Sequence, residues 1–417
     1  MHRMSDMPTV VGLLRNPGWL TLERARVYAT IMIAVVVVSV AYTLTGRGFD
    51  DPAGHAIGTD FVSFWTVSWA LLSGHQNAIY DPAALAALEQ SVIPRSAAAL
   101  YVWQYPPIGL LLVYPLALLP YLWALAAWLI IGAVCYLSAL WWIIPRRLTL
   151  WIGLGFPGVL LTITHGQNAF LTAALLTWGM LLLRNQPIIA GILIGALAFK
   201  PQLAVLLPVA LIAGRHWRTI IAASVTVLVL SVLTILLFGP NVWREFLTGT
   251  AFSHQMLDVG LVPYFKMQSV FAAIRLAGGS LAIAYAGQVL VALGVAMVVA
   301  WIWRNSADHQ TKAAAVLAAT PLATPFILDY DLMMLAPAIA VVVRKIIRDG
   351  ELSWDATTLA LAAILPLLSR SIAEYTHIAV APVTIAALVA VITVRCRAER
   401  LMQIGRSHPQ DLRLCGI

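Results

Sequence analysis

Charge is scarce in this sequence: Asp, Glu, Lys and Arg make up 11% of 417 residues, where an ordinary soluble domain carries about 25%. That scarcity, with 61% hydrophobic residues and a mean hydropathy of +0.87, excludes a solvated globular fold. Cysteine is nearly absent. Cys135, Cys396 and Cys415 have no metal or redox spacing, and Cys135 sits in an apolar run, so a disulfide framework is excluded. His-x-x-x-His and carboxylate-rich patterns are missing, and no metal or other cofactor is expected. No Walker loop, no GxGxxG opening a helix and no GxSxG elbow occurs. Fixed short repeats and low-complexity stretches are also absent, which argues against a solenoid. Acidic residues are fewer than basic ones, for a net charge of +8. The Arg and Lys residues cluster in short loops and both tails, as topology signals do, and no nucleic-acid partner is expected.

What is present is a recurrence of apolar runs of membrane-spanning length from Val27 to Val394. Membrane β-barrels read as short alternating segments, which do not occur here. The class is therefore all-α and polytopic. No small-residue cleavage pattern follows the first run closely, so it reads as a retained span. Placing every basic cluster on the cytoplasmic side gives spans at 27–46, 121–143, 149–165, 168–183, 187–199, 202–214, 219–238, 280–303, 312–328, 332–344, 356–372 and 377–395. That is about twelve crossings in one integral domain, 27–395, between cytoplasmic tails 1–26 and 396–417. The apolar stretch 105–121 would upset this arrangement if it crossed, and is expected to be re-entrant or interfacial. Two long extracytoplasmic loops remain, 47–104 and 239–279. The first carries helical patterns with Trp65, Trp69 and Tyr80, suited to lying at the membrane surface.

Several spans are short and meet at polar breaks, Lys200-Pro201 and Asp329-Tyr330-Asp331. Polar irregular backbone at depth is tolerated only in protein or along a cavity. Asp60, Gln167, Asn168, Lys200, Gln202, Asp329 and Asp331 all fall at extracytoplasmic helix ends, although the topology was drawn from basic clusters alone. A charge at mid-span costs about 2.5–3.5 kcal/mol on insertion scales, so such residues usually serve a site. Each also has a structural role open to it. Asp60 can cap a helix starting at Phe61, and Asp329 or Asp331 can cap the next one. Lys200 can snorkel. His165 can be a satisfied buried histidine, and Asp51, Asp81 and Glu245 read as solvated loop charges. The cytoplasmic loops are too short to fold a nucleotide-sugar domain.

Five segments in order carry a resemblance: "GTDFVSFWTVSWALLSGHQNAIYD" (58–81), "YVWQYPPIGLLLVYPLALLP" (101–120), "HGQNAFLTAALL" (165–176), "AGILIGALAFKPQLAVLLPVALIAGRHWR" (190–218) and "ATPLATPFILDYDLMML" (319–335). Together they resemble glycosyltransferase family 87, one of the C-type integral membrane glycosyltransferases. The resemblance implies a polyprenyl-phosphate sugar donor, mannose in known members, a glycolipid or polysaccharide acceptor, and chemistry at the extracytoplasmic face of a bacterial plasma membrane. It also implies a general base in the first extracytoplasmic loop, a position that Asp60 matches. Family members often hold a histidine near the "DYD" segment. Ile327 and Leu328 stand there instead, which puts that histidine's role in doubt.

Such chemistry needs positive charge for a departing phosphate, a base for the acceptor hydroxyl, and polar groups for the sugar. Lys200 is the first candidate for the phosphate, then Lys266 and Arg275. Tyr105, His165, Gln167, Asn168, Gln202, His254, Gln268, Asp329, Tyr330 and Asp331 are candidates for sugar or acceptor. A single base without a carboxylate nucleophile implies inversion at the anomeric carbon. The competing class is a flippase or transporter of lipid-linked sugars, which also places charges at broken helices. No inverted repeat is seen that would favour it.

Overall fold

The computed structural model describes residues 10–15, 18, 20–94, 101–306 and 308–407. Among these, α-helices and short 3-10 turns build the chain, and pairing between extended segments is limited to isolated bridges.

Six helices are long and apolar enough to cross a membrane: Leu22–Thr43, Tyr121–Ile143, Trp217–Phe238, Leu281–Asn305, Asp355–Thr376 and Ala381–Leu401. Their starts follow sequence. Thr21 accepts from the Arg24 N–H, and Ser280 from the Ile283 N–H, each satisfying an orphan donor of the first turn. Leu22–Thr43 and Trp217–Phe238 expose most of their side chains, including Val38 and Leu236. Such faces are stable only against lipid.

The other six segments read as spans from sequence are shorter or broken. Arg147–Leu154 and Pro157–His165 are bent by 55° at a break where Pro157 cannot continue the hydrogen-bond ladder; counted as one span, they bring the total to seven. Ala169–Leu181, Pro187–Ala196 and Leu207–Ala213 are short. So are His309–Ala323 and Leu335–Asp349, at 15 residues each. His309–Ala323 is buried throughout from Ala313 to Ala323. Its alanines let Leu281–Asn305, Ala381–Ser407, Leu335–Asp349 and Ala169–Leu181 pack closely around it. "GILIG" brings Pro187–Ala196 against Trp217–Phe238: a Cβ on Gly191 would lie 2.5 Å from the Ala222 Cβ, and one on Gly195 would lie 2.6 Å from the Thr226 Cβ.

The 105–121 stretch is too short to cross. Pro115 divides it into the helix Ile108–Val113 and the turn Leu116–Leu118. It packs along Phe61–Leu72, the first helix of the first loop. Ser68 Oγ donates to the Tyr114 carbonyl at 2.7 Å and accepts from the Ala117 N–H at 2.8 Å. Trp65 Nε1 donates to the Leu119 carbonyl at 3.0 Å. Phe61–Leu72 is thus covered by protein, with Phe61, Val62, Phe64 and Val67 buried. The following helix, Pro82–Val92, stays at the surface with only Leu85 and Glu89 buried. The second loop forms Asn241–Asp258, a turn at Tyr264–Lys266 and Val270–Leu276. A bridge between Met267 and Leu328 ties that loop to the Asp329–Met334 turn.

Candidate active site

Asp60 precedes Phe61–Leu72, yet its carboxylate makes no capping bond. Oδ2 instead accepts a hydrogen bond from Gln167 Nε2 at 2.8 Å. No hydrogen bond reaches Oδ1 among the described residues, and Asp60 is half-buried. Its backbone N–H donates to the His165 carbonyl at 3.1 Å. The approach of the two loops requires glycine. Gly58 and Gly166 both have positive φ, and a Cβ on Gly166 would lie 2.6 Å from the Phe61 Cβ.

Gln167 and Asn168 lie between the helices Gly158–His165 and Ala169–Leu181 and are buried. Gln167 Nε2 also donates to the Tyr330 hydroxyl at 3.2 Å. Asn168 Nδ2 donates to the Tyr105 hydroxyl at 3.0 Å, and that hydroxyl donates onward to Gln167 Oε1 at 3.4 Å. Beneath them Lys200 Nζ pairs with Asp331 Oδ1 at 2.6 Å, both side chains 4% exposed. The ammonium lies 5.3 Å from the centre of the Tyr330 ring and 6.0 Å from that of Tyr105. Asp331 Oδ2 accepts the Leu328 N–H at 3.3 Å, so the carboxylate also holds the turn. Asp329 Oδ1 accepts the Tyr330 N–H at 2.9 Å, while its buried Oδ2 has no hydrogen-bond partner. The nearest cation to that oxygen is Arg370 Nη1, at 3.8 Å. The His165 ring centre is 6.0 Å from that of Tyr330.

The result is a half-open carboxylate, anchored from one side, beside a buried network of amides, phenols and an ion pair. A carboxylate with one free oxygen can take a proton from a hydroxyl held against it. A model of glycosyltransferase family 87 matches residues 103–325, more than half of the chain. The chain belongs to glycosyltransferase family 87. It is thus a membrane glycosyltransferase, with a sugar donor and an acceptor as its substrates. No curated protein and no solved structure matches it. The matched stretch of this family 87 chain contains Tyr105, His165, Gln167, Asn168, Lys200 and Gln202. Asp60, Asp329, Tyr330, Asp331 and Arg370 lie outside it.

The sequence candidates divide by position. Asp60, Tyr105, His165, Gln167, Asn168, Lys200, Asp329, Tyr330 and Asp331 form one cluster. Gln202 lies two residues beyond Lys200, in the 3-10 turn Pro201–Ala204. Gln268 is buried beside the cluster, its N–H donating to the Ile327 carbonyl at 2.9 Å and its Nε2 to the Lys266 carbonyl at 3.1 Å. Lys266 comes with it and is partly exposed. Arg275 is engaged within its own loop: Nη1 donates to the Gly279 carbonyl at 2.7 Å, and the guanidinium stacks on Tyr264 at 5.3 Å. His254 is exposed on Asn241–Asp258.

Of the loop acids read as solvated, Asp81 caps Pro82–Val92, accepting from the Ala83 and Ala84 N–H groups. Asp51 accepts from the Ala53 and His55 N–H groups at 2.9 Å each. Glu245 is partly buried, and that burial pushes its carboxyl above the ordinary range. A shallow cleft lies between the 47–104 and 239–279 loops, enclosing about 20 Å³, and is lined by Ile79, Tyr80, Trp103, Phe246 and Phe252 among others. Trp103 also lines a second recess, which reaches Tyr105, Asn168 and Phe199. Sequence reasoning missed Arg370. The signal was there, the single cation of the membrane-spanning helix Asp355–Thr376.

Proposed function

We propose that this glycosyltransferase moves a hexose, with mannose the first choice, from a polyprenyl-phosphate donor to a hydroxyl of a glycolipid or polysaccharide acceptor. The reaction takes place at the extracytoplasmic face of a bacterial plasma membrane. Asp60 is the general base. What carries this reading is the state of its carboxylate: one oxygen is held by Gln167, the other is unpartnered, and neither caps the adjoining helix.

The acceptor hydroxyl delivers its proton to Asp60 as its oxygen bonds to the anomeric carbon. The bond from that carbon to the phosphate oxygen breaks, and polyprenyl phosphate leaves with the electron pair. One displacement inverts the anomeric centre, as in single-displacement glycoside hydrolysis. The leaving phosphate needs no proton at neutral pH, only nearby positive charge. Gln167, Asn168, Tyr105 and Tyr330 offer the hydroxyl and amide groups that sugar hydroxyls require. The shallow cleft between the loops suits the acceptor, because it presents the rings of Tyr80, Trp103 and Phe246 on which sugar faces stack.

The experiment is a transfer assay on purified protein in nanodiscs, with synthetic polyprenyl-phosphate mannose and a membrane lipid extract as acceptor. Release of free polyprenyl phosphate with growth of a mannosylated product is expected. Asp60→Asn should cut kcat by about 10²–10⁴. Donor moved between leaflets without cleavage would identify a flippase instead.

A further inference from the structure

Polar side chains meet the Asp329–Met334 turn in two layers. The inner layer is paired within itself, Lys200 on Asp331, Gln167 on Tyr330 and Asn168 on Tyr105, with only the buried Asn168 Oδ1 left without a partner among these side chains. The outer layer is not closed. Asp60, His165 and Arg370 are each partly exposed, the Arg370 side chain at 33%. Arg370 Nη1 stands 3.8 Å from Asp329 Oδ2, beyond hydrogen-bond reach, and that buried oxygen has no hydrogen-bond partner. Among the described residues, the five guanidinium donors of Arg370 make no hydrogen bond, and Asp329 is its one ion-pair partner.

We propose that Arg370 binds the phosphate of the lipid donor, and that Lys200 is a structural cation. The assignment rests on the polyprenyl-phosphate reading above. Lys200 is already neutralised by Asp331, both side chains 4% exposed, so a phosphate there would put a second anion on one buried cation. Arg370 has nothing to abandon. Its contact with Asp329 is a single ion pair at 3.8 Å, which leaves the planar fork free for two parallel bonds to phosphate oxygens. Its position also suits the displacement. Asp60 hydrogen-bonds the His165 backbone, the His165 ring centre lies 6.0 Å from that of Tyr330, and Asp329 pairs with Arg370. Base and phosphate cation are thus both tied to the Asp329–Met334 turn, Asp60 through Gln167 and Tyr330 and Arg370 through Asp329. Arg370 lies on Asp355–Thr376, a helix of membrane-spanning length that also packs on the Tyr264–Lys266 turn. A phosphate held there keeps its polyprenyl chain beside the bilayer.

The test uses the full chain in phosphatidylcholine nanodiscs with undecaprenyl phosphate, undecaprenol or phosphatidylglycerol as added probe, and retention measured by native mass spectrometry. Wild type should retain undecaprenyl phosphate about tenfold better than undecaprenol. Arg370→Gln should bring the two to parity without changing undecaprenol retention, which also reports a folded protein. Arg370→Lys should restore most of the preference. A wild-type preference in Arg370→Gln overturns the proposal and leaves the donor reading intact. No preference in wild type overturns both. A parallel loss of phosphatidylglycerol in Arg370→Gln makes Arg370 a general lipid-phosphate anchor and overturns the donor assignment.

Discussion

Gln167 and Asp60 stand 107 residues apart in sequence and 2.8 Å apart in space, the glutamine amide donating to carboxylate Oδ2. Gln167 reaches Tyr330 with the same amide nitrogen. One side chain therefore sets the Asp60 carboxylate, the proposed base, relative to the Asp329–Met334 turn. Gln167→Leu keeps the volume and removes both bonds. It should lower kcat by about tenfold or more, because a base displaced by a fraction of an ångström loses its aim. Donor KM should change little. Steady-state kinetics with varied donor check this, and a change confined to KM would remove Gln167 from the positioning of Asp60.

Lys200 and Asp331 should behave as one unit. Lys200→Met leaves a buried carboxylate unpaired, at a cost of about 3–5 kcal/mol. Lys200→Met with Asp331→Leu removes both charges and should recover most of the loss. Thermal unfolding in detergent of both single variants and the double variant measures the coupling. Additive losses would show that the two residues act independently.

Trp103 joins the cleft between the loops to the recess at Asn168. Trp103→Ala should raise acceptor KM by about tenfold, the worth of one aromatic contact, with donor KM little changed. Product formation at varied acceptor concentration decides it. An effect on donor KM alone would place the acceptor elsewhere.

Asp308 caps His309–Ala323 through the Gln310 N–H at 3.0 Å and pairs with Lys345 at 2.5 Å. Burial pushes its carboxyl up, but Lys345 and the capping bonds outweigh burial and hold it below the ordinary range. The folded state thus binds the proton less tightly than the unfolded one. The contribution to stability is complete above the ordinary carboxylate range and fades as pH falls through the depressed value. Asp308→Asn should lower Tm at pH 7 by a few degrees and flatten its fall toward pH 3. A melting series over that range, with an unchanged slope in the variant, would assign the acid sensitivity to other groups.

Gly191 and Gly195 set how closely Pro187–Ala196 packs against Trp217–Phe238. Gly195→Leu should push the helices apart and lower Tm, and with it the yield of folded protein. Gly294, which meets open space, should accept Leu with little change. Equal yields and Tm values for both variants would deny the close packing a role in stability.

The membrane class, the all-α architecture and the grouping of polar breaks were legible in the sequence; about twelve crossings were expected, and among the described residues six helices, or seven with the bent pair, are long and apolar enough to cross. Hydropathy and basic clusters act locally and additively, so a window along the chain captures them. Tyr121–Ile143 has the bounds that apolar length alone implied. The stretch 105–121 reads as re-entrant or interfacial because a full crossing would upset the charge-based topology. Local pattern could not say which of two available roles a polar residue takes. Asp60 had the position of a helix cap, and only the arrival of Gln167 turned its carboxylate outward. Lys200 had the sequence of a free cation at a break, and the fold gave it Asp331, 131 residues away. Arg370 lay unnoticed in an apolar span until the fold set it beside Asp329. Charges pair by distance in space, at energies that depend on burial, and neither is written in a local window. The sequence by itself determined that this chain lives in a bilayer and carries polar residues at one face. Only the tertiary structure decided which charges neutralise one another and which remain available to a substrate.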